Sequence, residues 1–206
     1  MRLGLACRDG RPPREVVELL CAAGVCGRFD GVAAPALVEE PAPGGHTWLL
    51  ASAADVLGSC ERGALDAGVA GKDALLEDAP AVHELLDLRT ERDTLVYAAR
   101  EHQAGRRAQP RVATRYARLT RAFFAEAGKQ ADVIVFDSPA LAVRLGLADG
   151  VVELRGRLAG DADGLRERAE VAACSARLVC GRAARTLAGA ALEELVERLR
   201  AQLEGA

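Results

Sequence analysis

Apolar positions along this chain fall in short blocks whose spacing switches between strand-like runs and helical periods. Residues 2–7 (RLGLAC) form a short apolar run that ends in a turn-like Arg8–Arg11. Pro12 and Pro13 then open a helix through PREVVELLCAAG, apolar at helical spacing and stopped by Gly24. Residues 31–46 mix Gly, Pro and acidic side chains and read as irregular or weakly stranded. HTWLLAS predicts a strand and Asp55–Ala67 a helix. Gly68–Ala70 is a short strand ending at Gly71-Lys72-Asp73, which opens another helix. HELLDL and DTLVYAA read as consecutive strands. The polar stretch 100–110, with Gly105, Pro110 and three arginines, reads as a linker or hinge-side loop.

The second half repeats the theme. RVAT is a strand and RYARLTRAFFAEAG an amphipathic helix stopped by Gly128. ADVIVF is nearly all apolar, the pattern of a strand covered on both faces. Ser138 and Pro139 start a helix, the serine as cap and the proline at the first position. GVVEL is the next strand, followed by a glycine- and aspartate-rich loop over 156–164. SARLVCGR is a last strand, and ALEELVERLRAQL a last helix with Glu and Arg at mutually supporting spacing. Strands alternating with short helices predict an α/β fold with mostly parallel sheets.

Composition narrows the function classes. At 206 residues the chain can bury one good core or two small ones. Aromatics are only 3%, so Ala, Val and Leu must fill them. A formal charge of −3 argues against a broadly basic nucleic-acid surface. No apolar run reaches the ~18 residues of a membrane span, and MRLGLACRDG is too short an apolar start for a signal peptide. The expectation is a cytoplasmic protein with no nucleic acid and no membrane partner. Among 27 basic residues only Lys72 and Lys129 are lysines. The six cysteines form no CxxC pair or zinc half-site and read as buried thiols. His46, His83 and His102 are scattered, with no nucleophile pattern around them.

In open α/β sheets ligands bind beyond the carboxyl ends of strands, where helix N-termini present free N–H groups. Three such places stand out. Gly68-Val-Ala-Gly71-Lys72-Asp73 suits a phosphate or carboxylate without the full P-loop pattern, and equally suits a tight turn with Lys72 solvated. At Asp137-Ser138-Pro139 the serine either caps the helix or reaches a ligand, with Asp137 opposing an anion. The stretch from Glu153 through Arg155, Gly156, Arg157 and Gly160 to Asp161 can wrap a diphosphate with arginines as bidentate clamps. Asp161 and Asp163 work against that unless they help hold magnesium.

Taken together these segments resemble the short form of ATP phosphoribosyltransferase, the first enzyme of histidine biosynthesis. GVAGKDALLE (68–77), ELLDL (84–88), RVATRYARLTRAFFAEAG (111–128), GLADGVVEL (146–154) and SARLV (175–179) carry the resemblance, which runs nearly end to end. It implies two α/β lobes of periplasmic-binding-protein type (type II-like) with a ligand cleft between them. The first lobe would take residues 1–90 plus 172–206 and the second 91–171. It also implies transfer of phosphoribose from phosphoribosyl diphosphate to N1 of ATP, with Mg2+. A homo-oligomer working with a separate regulatory subunit related to histidyl-tRNA synthetase is implied as well, because a chain of this length lacks the long form's C-terminal regulatory domain. The residues expected to touch substrate are Arg11, Gly71, Lys72, Ser138, Glu153, Arg155, Gly156, Arg157 and Gly160.

Departures from the family pattern gather where the chemistry should be. Ala140 stands for the signature's first Glu, and Glu153 for its Asp. Arg157-Leu158-Ala159-Gly160-Asp161 replaces the hydroxyl-and-glycine loop that grips the phosphates. Arg8-Asp9-Gly10-Arg11 keeps only the last two residues of PKGR. Ser52 replaces an arginine, Leu57 a proline, and Arg89-Thr90-Glu91 a G-x-G. Two readings follow: an active transferase that rebuilt its phosphate loop with Arg155 and Arg157, or a catalytically inactive homologue that acts as a regulatory or assembly partner or binds another anionic ligand.

Overall fold

A computed structural model of the chain describes residues 1–27, 29–39, 45–100, 109–158 and 164–205. The fold divides into two units, Met1–Arg92 with Ser175–Ala206, and Asp93–Cys174.

The first unit contains β1 (Arg2–Ala6), α1 (Arg14–Ala22), β2 (Ala36–Glu39), β3 (Thr47–Ala51), α2 (Ala53–Glu61), β4 (Ala67–Gly71), α3 (Lys72–Asp78) and β5 (Val82–Asp87). The chain returns to it with β11 (Ala176–Gly181), α7 (Arg182–Leu187) and α8 (Gly189–Glu204). Its six-stranded sheet runs β2-β3-β1-β4-β11-β5. Strand alternation sends successive side chains to opposite faces. On one face Leu3 and Leu5 join Val16, Leu20, Trp48, Leu195 and Leu199 in a core beneath α1 and α8. On the other face Ala51, Ala70 and Val179 pack with Val56, Leu57 and Cys60 of α2 and Leu75 of α3. Fully burying a Leu or Val contributes roughly 1.5–3 kcal/mol, so these aliphatic faces supply what the scarce aromatics do not.

The second unit contains β6 (Asp93–Arg100), β7 (Arg111–Thr114), α4 (Ala117–Glu126), β8 (Asp132–Val135), α5 (Pro139–Arg144), β9 (Gly150–Leu154), α6 (Arg155–Leu158) and β10 (Leu165–Cys174). Its sheet runs β10-β6-β9-β7-β8. Leu95, Val112, Val152 and Leu154 face Tyr116 and Phe124 on one side. Ala98, Ala113 and Val151 face Ala142 and Val143 of α5 on the other. Tyr97 and Phe124 meet edge to face at 5.1 Å.

Several sequence expectations need correction. The sheets are mixed, not mostly parallel: β1 pairs parallel with β3 and β4, and β7 with β8 and β9. The other pairings are antiparallel. ADVIVF is an edge strand, with Val135 66% exposed, so its apolar run does not mark a doubly covered strand. The Asp55–Ala67 helix lies at Ala53–Glu61, because Ser52 caps it by accepting the Asp55 N–H. Residues 155–158, expected as loop, form one helical turn. Strand β10 and helix α7 had no counterpart in the sequence reading. The stretch 101–108 of the expected linker, with His102, lies outside the described residues.

Candidate functional site

Parallel pairing gives each sheet an edge where several strands end together. In the first unit β1, β3 and β4 run the same way, so the segments after Ala6, Ala51 and Gly71 share one edge. After β1 the chain makes a tight turn in which Arg8 and Arg11 exchange backbone hydrogen bonds at 2.9 Å, with Asp9 and Gly10 both at positive φ. This turn presents Arg11 with its side chain exposed. Gly71 is the N-cap of α3, and the Lys72 N–H donates to Ser175 O at 2.9 Å. The Lys72 ammonium is paired with the Glu84 carboxylate. Arg177 continues the network to Asp87 at 3.1 Å, and Asp87 also accepts from the Ser175 hydroxyl and the Arg89 N–H. Burial pushes the Asp87 carboxyl up, but those donors and the Arg177 and Arg89 charges outweigh it and hold it below the ordinary value. Lys72 therefore reaches an anion only by leaving Glu84.

In the second unit β7, β8 and β9 end at a common edge that gathers Arg115, Ser138 and the 153–157 segment. Thr114, fully buried, locks this end: its hydroxyl donates to Val152 O at 2.8 Å and accepts the Tyr116 N–H at 2.9 Å. Glu153 is 4% exposed, and its Oε1 accepts the N–H of Leu154 at 2.9 Å. The longer carboxylate thus folds back on its own strand. Arg155 is held in two-pronged contact by Glu167 of β10 at 2.9 and 2.7 Å and by Glu170 at 2.7 Å. These carboxylates raise the Arg155 pKa, and the guanidinium lowers that of Glu167. The Gly156 N–H points at the Asp93 carboxylate, 3.2 and 3.3 Å away. A β-carbon on residue 156 would sit 3.0 Å from Asp93 Oδ2, so the glycine permits that approach. Arg157 is exposed and has no ion pair among the described residues. Ser138 is exposed and makes no side-chain cap bond, so the capping role expected of it is not seen. Gly160, with Ala159 and Asp161–Asp163, lies outside the described residues.

The expected site residues thus fall into two sets, Arg11, Gly71 and Lys72 at one edge, and Ser138, Glu153, Arg155, Gly156 and Arg157 at the other. Three participants escaped sequence reading. Arg115, exposed, spends its Nε on the Asp137 carbonyl at 2.5 Å, a neutral partner that leaves its charge available. The carboxylates of Asp93 and Glu84 are the anions that the Gly156 N–H and the Lys72 ammonium meet. The only signal for Arg115 was its place one residue past RVAT; Asp93 and Glu84 are distant in sequence from the groups they meet.

A family model described as ATP phosphoribosyltransferase matches residues 52–201. An ATP phosphoribosyltransferase of Geobacillus kaustophilus is 35% identical over 202 residues, covering 97% of each chain. One of Nitrosococcus oceani is 39% identical over 154 residues, 74% of this chain and 72% of that one. Among solved structures, the ATP phosphoribosyl transferase (HisG:HisZ) complex of Thermotoga maritima has a chain that aligns over 100% of both with TM-score 0.80 and 22% identity. The alkanesulfonate-binding protein SsuA of Xanthomonas axonopodis aligns at TM-score 0.55 and 14% identity, over 98% of this chain and 72% of that one. These two likenesses place the fold in the two-lobe class of periplasmic binding proteins.

Proposed function

The chain belongs to the ATP phosphoribosyltransferase family, and on that premise we propose that it transfers phosphoribose from phosphoribosyl diphosphate to N1 of ATP, the first step of histidine biosynthesis. The observation that carries this reading is similarity along 97% of the chain to a full-length relative. In the reaction the bond from ribose C1 to the diphosphate oxygen breaks, N1 of ATP bonds to C1, and diphosphate leaves. The sugar passes through an oxocarbenium-like state, so catalysis is mainly positioning and neutralising charge. Arg157 and Arg115 supply positive charge at the second unit's strand-end edge, and the Gly156 N–H is aimed at an anion already. Phosphate binding there exchanges the Asp93 carboxylate for a phosphate oxygen. Lys72 makes the same exchange from Glu84 at the first unit's edge. Arg155 stays with Glu167 and Glu170. Among the described residues no three or more His, Cys, Asp or Glu side chains group to hold a metal ion, and Asp161 and Asp163 lie outside those residues. Magnesium enters as the counter-ion that phosphoribosyl diphosphate brings with it.

Partner and location belong to the same proposal. The end-to-end likeness to a chain of a two-component complex supports a homo-oligomer that works with a separate regulatory subunit. No helix among the described residues is long and apolar enough to cross a membrane, and a biosynthetic role supports a cytoplasmic location. The second reading, an inactive homologue that assembles with a partner, is favoured by one observation: Arg155 and the Gly156 N–H are already engaged by carboxylates. Purified protein with the regulatory subunit of its own genome, ATP, phosphoribosyl diphosphate and Mg2+ separates the two. Phosphoribosyl-ATP and diphosphate in equal amounts are the expected products. A stable complex that yields neither establishes the second reading instead.

A further inference from the structure

The cysteines divide by environment. Cys60, Cys174 and Cys180 are buried, while Cys7, Cys21 and Cys26 are half-buried. Burial pushes the Cys60 thiol up to about 12, aided by the nearby Cys180 and Asp66, which keeps it protonated and unreactive. Cys21 and Cys26 are different, because their sulfurs lie 3.8 Å apart. Cys21 sits in the last turn of α1, and Cys26 follows the turn that ends that helix.

That turn is firmly built. The Ala23, Gly24 and Val25 N–H groups donate to Leu19 O, Cys21 O and Leu20 O at 3.0, 2.9 and 2.9 Å, with Gly24 in the left-handed region at φ +65. From α8, Arg198 donates through Nε and Nη2 to Ala23 O at 3.1 and 2.8 Å. The backbone therefore holds the two sulfurs in contact instead of leaving their meeting to chance. Beside them a surface cavity of about 490 Å³ is lined by Cys21 together with Pro12, Val17, Glu18 and Phe29. A small solute reaches Cys21 through it.

We propose that Cys21 and Cys26 are a peroxide-responsive dithiol, a modification site separate from the transferase chemistry. The Cys21 sulfur, as thiolate, attacks one oxygen of hydrogen peroxide; the O–O bond breaks, hydroxide leaves, and a sulfenic acid forms. The Cys26 sulfur then attacks that sulfur, the S–O bond breaks, and water leaves. Overall two thiols lose two protons and two electrons, and peroxide is reduced to two waters. The product ties the end of α1 to the segment after it and removes the donor that Cys21 now offers Gly27 O at 3.3 Å. A thiol reductant restores the pair.

Peroxide treatment of the full-length protein, alkylation and tryptic mapping test this. Both cysteines fall in the peptide spanning residues 15–28. The expected result is a loss of about 2 Da in that peptide with both sulfurs protected from alkylation, reversed by dithiothreitol. In Cys26→Ser the same treatment leaves a sulfenic acid on Cys21 that a cyclic 1,3-dione traps. The wild-type mapping decides the question even if that variant fails to fold. Full alkylation of the peptide after peroxide, a bridge from either cysteine to Cys7, or sulfinic acid on Cys21 without a bridge overturns the proposal.

Discussion

At the amino ends of β7 and β9, Asp149 accepts from the Arg111 backbone N–H at 2.9 Å and from its Nε and Nη2 at 3.3 and 2.8 Å. Its own N–H returns a bond to Arg111 O at 2.8 Å. The carboxylate is nearly buried, its side chain 7% exposed, and these bonds stay inside the unit. At the carboxyl ends of the same strands, about 13–16 Å away, Arg115 and Arg157 are exposed, and the Gly156 N–H points at the chain's own Asp93. Arg111 and Asp149 belong to RVAT and GLAD, the stretches through which the chain resembles its family. The opposite end holds this unit's departures, at Ala140, Glu153 and Arg157. Residues that close a sheet are tied to each other, so one cannot change without orphaning the other. An exposed side chain such as Arg157, with no ion pair among the described residues, carries no such tie and is free to be rebuilt.

The largest expected effect comes from the closed end. Asp149→Ala leaves Arg111 without its carboxylate and its backbone N–H without an acceptor, and should cost about 2–4 kcal/mol in urea unfolding. A loss below about 1 kcal/mol would break the comparison by making that end as permissive as the other. At the open end Asp93→Asn removes one negative charge beside the Gly156 N–H. It should tighten diphosphate binding by about three- to fivefold, read by calorimetry, with little change in stability. Weaker binding would mean that Asp93 holds the ligand instead of standing in for it. The smallest effect concerns Glu167. Its folded pKa is lowered, so its contribution is present above the ordinary value of 4.5 and is lost as pH falls through the folded value. Carboxyl NMR titration should give a midpoint below 4.5 that returns to it in Arg155→Ala. A midpoint already at 4.5 in the wild type would free Arg155 for the ligand.

Much of the fold was legible because period and turn chemistry are local. Pro13 before α1 and Gly24 after it act within a few residues of themselves; the Ser52 cap is as local, yet the sequence reading started that helix at Asp55. What was missed is non-local. Strand β10 reads LRERAEVAAC, with Arg166, Glu167, Arg168 and Glu170 exposed, because it lies at a sheet edge against β6 alone. Strand β8 misled in the other direction, apolar in sequence yet also at an edge. Strand direction depends on which strand becomes the neighbour, and β11 returns from more than a hundred residues away to pair antiparallel with β4. The candidate site was legible as positions after strands but not as chemistry. Nothing local to Lys72, Arg155 or Gly156 announces that Glu84, Glu167 and Asp93 already hold them.

The central claim is that the open end of the second unit's sheet binds the diphosphate of phosphoribosyl diphosphate, with Arg157 supplying charge and no part of the fold. Calorimetric titration of phosphoribosyl diphosphate with Mg2+ into wild type and Arg157→Ala, beside thermal unfolding of both, tests it most directly. The account predicts one saturable site per chain in the wild type, about tenfold weaker in the variant, with stabilities within about 0.5 kcal/mol of each other. Equal affinity in the two proteins, or no saturable heat in the wild type, would contradict it.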